Sequence, residues 1–509
     1  MDGCREADLT VRRSNFSRQR RWLVRQAGPL GAGSDRCRMR ASAALAFIWA
    51  LSSVFVGASE VAAQSSSTSG SNEANALLAF PGAEGYGRFA QGGRGGQVII
   101  VDTLENEVSS NGKTSLREAL EVINGARTVV FDVGGTFHTG DTPILMAGEG
   151  ASNVTVACQS APAPGVLIHG NGIRIRGGAH DIVMRHCGIR NLDPGAPEGE
   201  SSRTIAVIGG KRGSRNLIFD HMSLGWATDE NFTAFVGPDA ETDQSDLTLS
   251  RSIVAEGDAD SSHPESGQLP RRYLHAMGPS CASSSPSHRM LRCSIIGNFI
   301  GNNARRNPLV WGMSGEVAHN VMYNWHETAL DARPHKPGRV DLHVWGNLFK
   351  SGPSSKRGNP AMKFEDSGKP ASNFRVSSNS LVDPESGEPV PLDELSTGEP
   401  DLVPNDVSVI DLDCVGATRP LRDEWDARVL AEYLDGSGVV GIGTDQERVI
   451  GERKDAQHPI ERDRDRDGMA DAWEVANRLD PRNPKDHKAD PDGDGYTAIE
   501  VFLAELAEC

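Results

Sequence analysis

Short segments in which apolar and polar residues alternate recur along most of the chain. Eight of them begin near residues 153, 181, 216, 246, 289, 316, 340 and 373, so that successive starts lie 24 to 43 residues apart. Alternation with a period of two predicts strands that bury one face. One strand per coil with uneven connections is typical of a parallel β-helix, in which repeated Asn, Ser, His and Cys positions stack in ladders. We therefore predict an all-β, right-handed parallel β-helix; a β-sandwich, whose hairpins rarely have such uneven connections, is the alternative.

A helical pattern precedes these strands. The segment SLREALEVI begins with a capping box, in which Ser115 is the N-cap and Glu118 follows three residues later. A short helix at this place can cover the open end of a long sheet, where an unpaired strand would otherwise promote aggregation. We expect an N-terminal capping helix.

Both ends of the chain differ in composition from the repeating region. Three arginines precede an apolar run at 41–58, and Val61-Ala62-Ala63 then provides a small-residue cleavage site. This order is typical of an export signal, with a membrane anchor as the alternative. We predict a secreted protein without a membrane span in its mature form. The predicted segments are a leader at 1–63, a Ser-rich linker at 64–78, a β-helix domain at 79–445, a polar linker at 446–460 and a calcium-binding tail at 461–509.

The balance of charge restricts the possible partners. The whole chain carries a net charge of −17, and because residues 1–63 carry +5, the remaining residues carry −22. An acidic body argues against nucleic acid, whose phosphates require basic partners. An acidic substrate would be accommodated more easily with a bound divalent cation between it and the protein. A hydrophobic content of 38% and 56 glycines favour a turn-rich β architecture over a helical bundle.

Six cysteines remain after the predicted leader, at positions 158, 187, 281, 293, 414 and 509. An even number in an exported protein is compatible with disulfides, although the pairing does not follow from the sequence. Buried thiols within a stacked β architecture are the alternative.

The C-terminal tail contains a twelve-residue pattern of oxygen ligands that begins at Asp463. Carboxylates fall at positions 1, 3, 5, 9 and 12, glycine at 6, and a backbone carbonyl at 7, as in a calcium-binding EF-hand loop. The predicted calcium ligands of this loop are Asp463, Asp465, Asp467, Met469, Asp471 and Glu474. A second loop starts in the same way, with Asp490, Asp492, Asp494 and Tyr496, but its glutamate stands at position 11 instead of 12. The pair resembles thrombospondin type 3-like or dockerin-like calcium repeats.

Three motifs in the body resemble bacterial pectate lyases. They are AFPGAEGYGRFAQGGRGG, FDHMSLGWATDE and NNARRNPLVWG, which occur in this order on the β-helix pattern. The resemblance covers roughly residues 79–445. It implies cleavage of polygalacturonate by β-elimination, with calcium as cofactor and an acidic polysaccharide as the partner. We expect the protein to act as a monomer.

The resemblance also implies roles for individual residues. Arg306 matches the arginine that takes the proton from C5 of the uronate. Asp229, with Glu230 beside it, matches a calcium ligand. The Asp-His pair at positions 220 and 221 matches a pair that is mainly structural in the family. The residues predicted to bind substrate are His263, His275 and Arg305.

Three departures from the family pattern leave other interpretations open. Arg203-Thr204 stands where the family usually has an acidic ligand, Thr233 where many relatives have an aspartate, and Ala259 where a lysine commonly binds substrate. Substrate could complete the calcium site, or Asp258 or Asp260 could supply ligands. A glycoside hydrolase that uses Asp229 with one of these residues is a second hypothesis, since hydrolysis requires two carboxyl groups across the bond. A non-catalytic carbohydrate-binding β-helix is the third.

Overall fold

The computed structural model describes most of the chain from residue 76 onward. The predicted leader at 1–63 and nearly all of the linker at 64–78 lie outside the described residues. The described ranges are 76–108, 111–191, 202–259, 261–266, 274–334, 340–356, 358–365, 372–384, 386–398, 400–441, 453–459 and 462–509.

Three sheets wind around one apolar core, and almost all neighbouring strands within each sheet are parallel. Each complete coil contributes one strand to every sheet, which confirms the predicted β-helix. In spatial order, sheet 1 contains Gln97–Val101, Arg127–Phe131, Val154–Ala157, His180–Arg185, Arg215–Asp220, Gln244–Ser250, Met290–Ile296, Met313–Ala318, Asp341–Trp345, Asn373–Ser377 and Leu395–Ser396. Sheet 2 contains Ile144–Ala147, Ile173–Arg176, Ile205–Ile208, Glu230–Val236, Met277–Ser283, Leu309–Trp311, Leu330–Arg333 and Met362–Phe364. Sheet 3 contains Ala456–Gln457, Val133–Gly140, Val166–Gly170, Gly188–Asn191, Ser223–Gly225, Ile253–Ala255, Phe299–Gly301, Val321–Tyr323, Leu348–Lys350, Ser380–Val382 and Pro389–Pro391.

The alternation in the sequence sets the core of these sheets. In the strand Arg215–Asp220, Leu217 and Phe219 are fully buried, and Leu217 lies in register with Ile182 and Leu247 on the strands either side. Apolar side chains at matching positions of successive coils therefore stack along the core axis. This continuous burial is the main source of stability in a stacked repeat.

An asparagine ladder runs along the turn between sheets 1 and 3. Asn298 donates a side-chain hydrogen bond to Asn320 Oδ1 at 3.0 Å, Asn320 donates to Asn347 at 2.9 Å, and Asn347 donates to Asn379 at 2.9 Å. All four are buried. Each of the four side-chain amides also donates a hydrogen bond to a backbone carbonyl. The buried backbone carbonyls of this tight turn therefore have hydrogen-bond partners inside the protein. This confirms the predicted ladder for asparagine.

The predicted capping helix is present as a single π-type turn, Glu118–Val122. The hydrogen bond expected of the capping box is present at the start of this turn, since Glu118 N donates to Ser115 Oγ at 3.1 Å. The buried Arg127 guanidinium donates to the carbonyls of Ala119 and Leu120 and thereby satisfies the last turn. Burial lowers the pKa of Arg127 to about 10.

The remaining helices lie outside the coils. The α-helix Glu424–Asp435 covers the outer face of sheet 3, where Trp425 is fully buried against Ile253 and Phe299. The other described helices are the 3₁₀ turns Tyr86–Phe89, Glu149–Ala151, Cys158–Ser160 and Asp486–Lys488, and the α-helices Asp471–Ala476 and Ala498–Leu506.

The tail packs against the outer face of sheet 1 at its N-terminal end. Ile499 and Phe502 of the last helix form one apolar cluster with Ile100 and Val130. An ion pair of 2.8 Å between Arg94 and Glu500 lies beside it. The tail therefore covers apolar surface of the first coils, which the sequence pattern did not indicate.

All six cysteines of the described chain form disulfides. The pairs are Cys158–Cys187, Cys281–Cys293 and Cys414–Cys509, and the last one joins the end of the tail to the body. Within the described ranges, the helices are all too short or too polar to cross a membrane.

Candidate functional site

A cleft of about 240 Å³ opens on sheet 2 where the chain enters successive strands. Asp229 immediately precedes the strand Glu230–Val236, His275 precedes Met277–Ser283, and Arg306 precedes Leu309–Trp311. Because these strands are parallel and stacked in register, the residues just before them lie next to one another along the edge of the sheet. The side chains that line the cleft are Arg203, Asp229, Glu230, Phe235, His263, Glu265, His275, Ser280, Ala282, Arg306, Leu309, Trp311 and Arg333.

Two arginines and two carboxylates form an ion-pair network at the centre of the cleft. Arg203 Nε donates to Glu230 Oε2 at 2.8 Å, and its Nη2 donates to Asp229 Oδ2. Arg306 Nη1 donates to Glu230 Oε1 and lies 3.6 Å from Asp229 Oδ1. Burial acts to lower the pKa of Arg203, but the ion pairs with Glu230 and Asp229 outweigh it and raise that pKa. Charge-assisted hydrogen bonds of this kind fix the orientation of both guanidinium groups.

The backbone at Arg306 is in the left-handed region, with a φ of 58°. Such a conformation is uncommon for a residue with a side chain and often occurs at functional sites. The turn lies directly against Gly278 on the preceding coil. A Cβ at position 278 would lie 2.3 Å from Arg306 O and 2.6 Å from Asn307 Oδ1. The absence of a side chain at Gly278 therefore permits the close approach that places Arg306 in the cleft.

Gly278→Ala is expected to displace the Arg306 turn and lower turnover by about tenfold or more, since small shifts of a reacting group are costly. The measurement is the initial rate of substrate cleavage beside thermal unfolding of the same sample. Gly237→Ala is the matched control, because a Cβ there meets only the end of the Asp239 carboxylate at 3.1 Å. Equal rates for the two variants would show that the position of the Arg306 turn does not affect turnover.

His263 and His275 form one wall of the cleft, and their predicted binding of substrate remains a prediction. Their rings stack with centroids 3.6 Å apart. His275 Nδ1 lies 2.9 Å from Thr228 O, so that Nδ1 carries the proton and Nε2 is the acceptor nitrogen. Burial lowers the pKa of His275 to about 4, which makes its ring neutral at neutral pH. His275 Nε2 faces the carboxylates of Asp229 and Glu265 at 3.7 and 3.6 Å.

Arg305 and the Asp220–His221 pair, which were also named from the sequence, lie apart from the cleft. Arg305 Nη1 pairs with Glu327 at 3.3 Å, and Arg305 does not line the cleft. The left-handed conformation of Arg306, the next residue, turns the chain and directs the two side chains differently. Asp220 is fully buried on sheet 1 and accepts hydrogen bonds from His221 at 2.8 Å and from Arg185 at 3.1 Å. These contacts suit the structural role that the resemblance implies for the Asp220–His221 pair.

Three cationic or aromatic residues of the cleft were not predicted as site residues from the sequence. Arg333 lies in register with Trp311 on the neighbouring strand of sheet 2, with its guanidinium 5.8 Å from the indole ring. An alignment of successive sheet 2 strands would have indicated both residues. Arg203 was noted only as a departure from the family pattern, whereas it is central to the network. Of the two alternative ligands, Asp258 is buried and Asp260 lies outside the described residues.

The cleft residues do not fit a calcium ion as they are arranged. Calcium prefers six to eight oxygen ligands. Of the four carboxylate oxygens of Asp229 and Glu230, three accept hydrogen bonds from guanidinium groups. The fourth, Asp229 Oδ1, lies 3.6 Å from Arg306 Nη1 and 3.7 Å from His275 Nε2. The predicted role of Asp229 and Glu230 as calcium ligands is thus not supported by their contacts.

The first acidic loop of the tail does fit calcium. Oxygens of Asp465, Asp467, Glu474 and Asp486 lie within 4.8 Å of one another. Six buried oxygens of these four residues have no hydrogen-bond partner in the described part of the chain. Mainly through burial, and through mutual repulsion, the pKa is raised to about 6 for Asp465, about 7 for Asp467 and about 8 for Glu474. Unpaired buried carboxylates are costly unless a cation neutralises them. We call these four residues the tail cluster.

The other predicted ligands of this loop are not part of the tail cluster, and their calcium binding, through the backbone carbonyl in the case of Met469, remains a prediction from the sequence. Asp463 accepts hydrogen bonds from Asp467 N and Gly468 N and so shapes the loop. Asp471 pairs with Arg464 at 3.2 Å, and the side chain of Met469 is buried against sheet 1. Asp486 lies beyond the twelve-residue pattern and was therefore not predicted.

The second acidic loop forms an exposed group. Asp490, Asp492 and Asp494 bring carboxylate oxygens within 4.8 Å of one another. Tyr496 N donates to Asp494 Oδ1 at 2.8 Å, and Glu500 caps the helix that follows through Thr497. Its calcium binding remains a prediction from the sequence.

Comparisons with known proteins identify fungal relatives. "Probable pectate lyase C" of Aspergillus flavus is 30% identical over 458 residues, which cover 85% of this chain and 94% of that protein. The protein of the same name from Aspergillus fumigatus is 33% identical over 285 residues, which cover 56% of this chain and 57% of that protein. Among solved structures, a pectate lyase from Bacillus sp. N165 in complex with trigalacturonate gives a TM-score of 0.39 at 17% identity and covers 70% of this chain and 99% of that one.

No family model matches the sequence. The similarity to the protein from Aspergillus flavus nevertheless extends over nearly the whole described body and includes the strands that carry the cleft. With this identity over this length, the chain belongs to the pectate lyase family of polysaccharide lyases.

Proposed function

We propose that this protein cleaves polygalacturonate by β-elimination in the cleft on sheet 2, with Arg306 as the base. The observation that carries the proposal is the position of Arg306, whose guanidinium is held at the centre of the cleft by Glu230 and Asp229. Arg306 is also the residue that matches the proton-abstracting arginine of the family.

The reaction removes a proton that lies α to the uronate carboxylate. Arg306 first gives up one guanidinium proton to solvent; the resulting guanidine then takes the proton from C5, and the electron pair of the C5–H bond forms a double bond between C4 and C5. The C4–O bond then breaks, and the leaving oxygen takes a proton from solvent. Because C5–H is a very weak acid, the charge that develops on the carboxylate requires stabilisation by fixed cations.

Cations for this purpose surround the proposed base. Arg203 is oriented by two carboxylates, and Arg333 lies further along the same sheet beside Trp311. An arginine fork suits a planar carboxylate better than a lysine does. We assign Arg203 to the reacting uronate and Arg333 to a neighbouring uronate of the polymer, with His263 and His275 as a wall of the binding site.

The hydrolase hypothesis is less well supported. A glycosidase requires one carboxyl group as acid and a second one across the bond. The pair named for that reaction is Asp229 with Asp258 or Asp260. Asp229 is engaged by the guanidinium groups of Arg203 and Arg306, Asp258 is buried, and Asp260 lies outside the described residues. The non-catalytic hypothesis does not explain why Arg306 is held by two carboxylates at the centre of an open cleft.

The same proposal includes the setting of the enzyme. The leader predicted at 1–63 would export the chain, which would then act as a secreted monomer on plant polysaccharide. The tail at 461–509 would bind calcium through the tail cluster and stabilise the first coils, on which it packs.

The products distinguish β-elimination from hydrolysis. Mass spectrometry of the oligosaccharides released from polygalacturonate should find new non-reducing ends that are lighter by one water molecule than hydrolysis products. Products of full hydrolytic mass would reject the lyase assignment.

A further inference from the structure

Arg203 occupies the place at which the family resemblance implies an acidic calcium ligand. It stands just before the strand Ile205–Ile208, one coil before Glu230, and strand register brings the two residues side by side. Its Nε and Nη2 reach Glu230 and Asp229, the two carboxylates that the resemblance assigns to calcium. The guanidinium thus binds the oxygens that the metal would require.

The two threonines at the neighbouring positions where the family pattern departs are engaged in hydrogen bonds within the protein. Thr204 Oγ1 donates to Asn231 O within the turn, and Thr233 Oγ1 is hydrogen-bonded to Ser280 Oγ at 2.7 Å. Both threonines are buried. With Asp229 and Glu230 opposed by Arg203 and Arg306, the formal charge of these four side chains is zero, so the network itself exerts little net attraction on a divalent cation.

We propose that Arg203 replaces the calcium ion of the cleft, so that β-elimination by this protein does not require calcium. This inference rests on the proposed function. A guanidinium in this position remains charged at every working pH, as a bound cation would. Any calcium dependence of the protein would then arise from the tail cluster, because the tail packs on sheet 1 whereas the cleft lies on sheet 2.

Removal of calcium tests the inference. In excess EGTA, turnover of polygalacturonate by the wild-type protein is expected to stay within about twofold of the value in calcium. Arg203→Glu restores a third carboxylate beside Asp229 and Glu230. In EGTA this variant should lose about a hundredfold in turnover, and calcium should restore about tenfold or more of that loss.

Arg176→Glu is the matched control. Arg176 is an exposed arginine on the neighbouring strand of sheet 2, and its substitution changes the charge equally without touching the cleft, so it should behave like the wild type. Because EGTA also strips the tail, far-ultraviolet circular dichroism at the assay temperature reports whether the protein is folded.

Two outcomes would overturn the inference. One is loss of wild-type turnover in EGTA with the fold intact and recovery in calcium. The other is an Arg203→Glu variant as active in EGTA as the wild type. A folded wild-type protein that is inactive both with and without calcium would instead reject the proposed function, so the two failures are distinguishable.

Discussion

Arg306→Lys is expected to lower turnover of polygalacturonate by about a hundredfold or more while changing KM little. Lysine keeps the positive charge but lacks the planar fork that contacts a carboxylate and the C5 hydrogen together. It also cannot reproduce the contacts of Arg306 Nη1 with Glu230 and Asp229. Steady-state rates over a range of substrate concentrations separate the effect on turnover from the effect on binding.

Arg305→Lys is the control for this prediction. The Arg305 guanidinium pairs with Glu327 outside the cleft, so its replacement should change turnover by no more than about threefold. Equal and mild effects at the two positions would mean that the Arg-Asn-Pro segment is only a turn. The proposed reaction would then lack a base.

Calcium is expected to raise the thermal stability of the protein through the tail cluster. A ligand that binds only the folded state adds about 2.7 kcal/mol at a hundredfold excess over its Kd, which corresponds to a rise in Tm of several degrees. Glu474→Gln should abolish most of this rise. It should also make the calcium-free protein more stable, because one of the crowded, unpaired carboxylates is removed.

Differential scanning calorimetry with calcium and with EGTA measures both effects. Glu508→Gln removes the same charge from an exposed position of the tail and should leave the calcium response unchanged. A Glu474→Gln variant that retains the full increase in Tm would show that calcium binds elsewhere. Activity at a temperature below both transitions should not change with this variant.

The sequence predicted the β-helix because alternation along the long strands of sheet 1 is directly visible. It predicted one strand per coil, whereas the structure has three. The strands of sheet 3, such as Ser223–Gly225 and Phe299–Gly301, are only three residues long. A period of two cannot be recognised over three residues, so these strands were not distinguished from loops.

The sequence predicted individual residues of the site but not the contacts between them. Arg306, Asp229, Glu230 and the two histidines do meet in one cleft. The pairing of Arg203 with Asp229 and Glu230 was not predicted, because it depends on the register between coils 27 residues apart in the chain. Asp486 was missed for a different reason, since it lies outside the twelve-residue calcium pattern.

The cleft on sheet 2 is expected to break the polymer by elimination and not by hydrolysis. The most direct measurement follows, on one sample of polygalacturonate, the ultraviolet absorbance of the conjugated C4–C5 double bond and the number of new reducing ends. Both should rise together, with one double bond for every new reducing end. Reducing ends that form without the absorbance would contradict it.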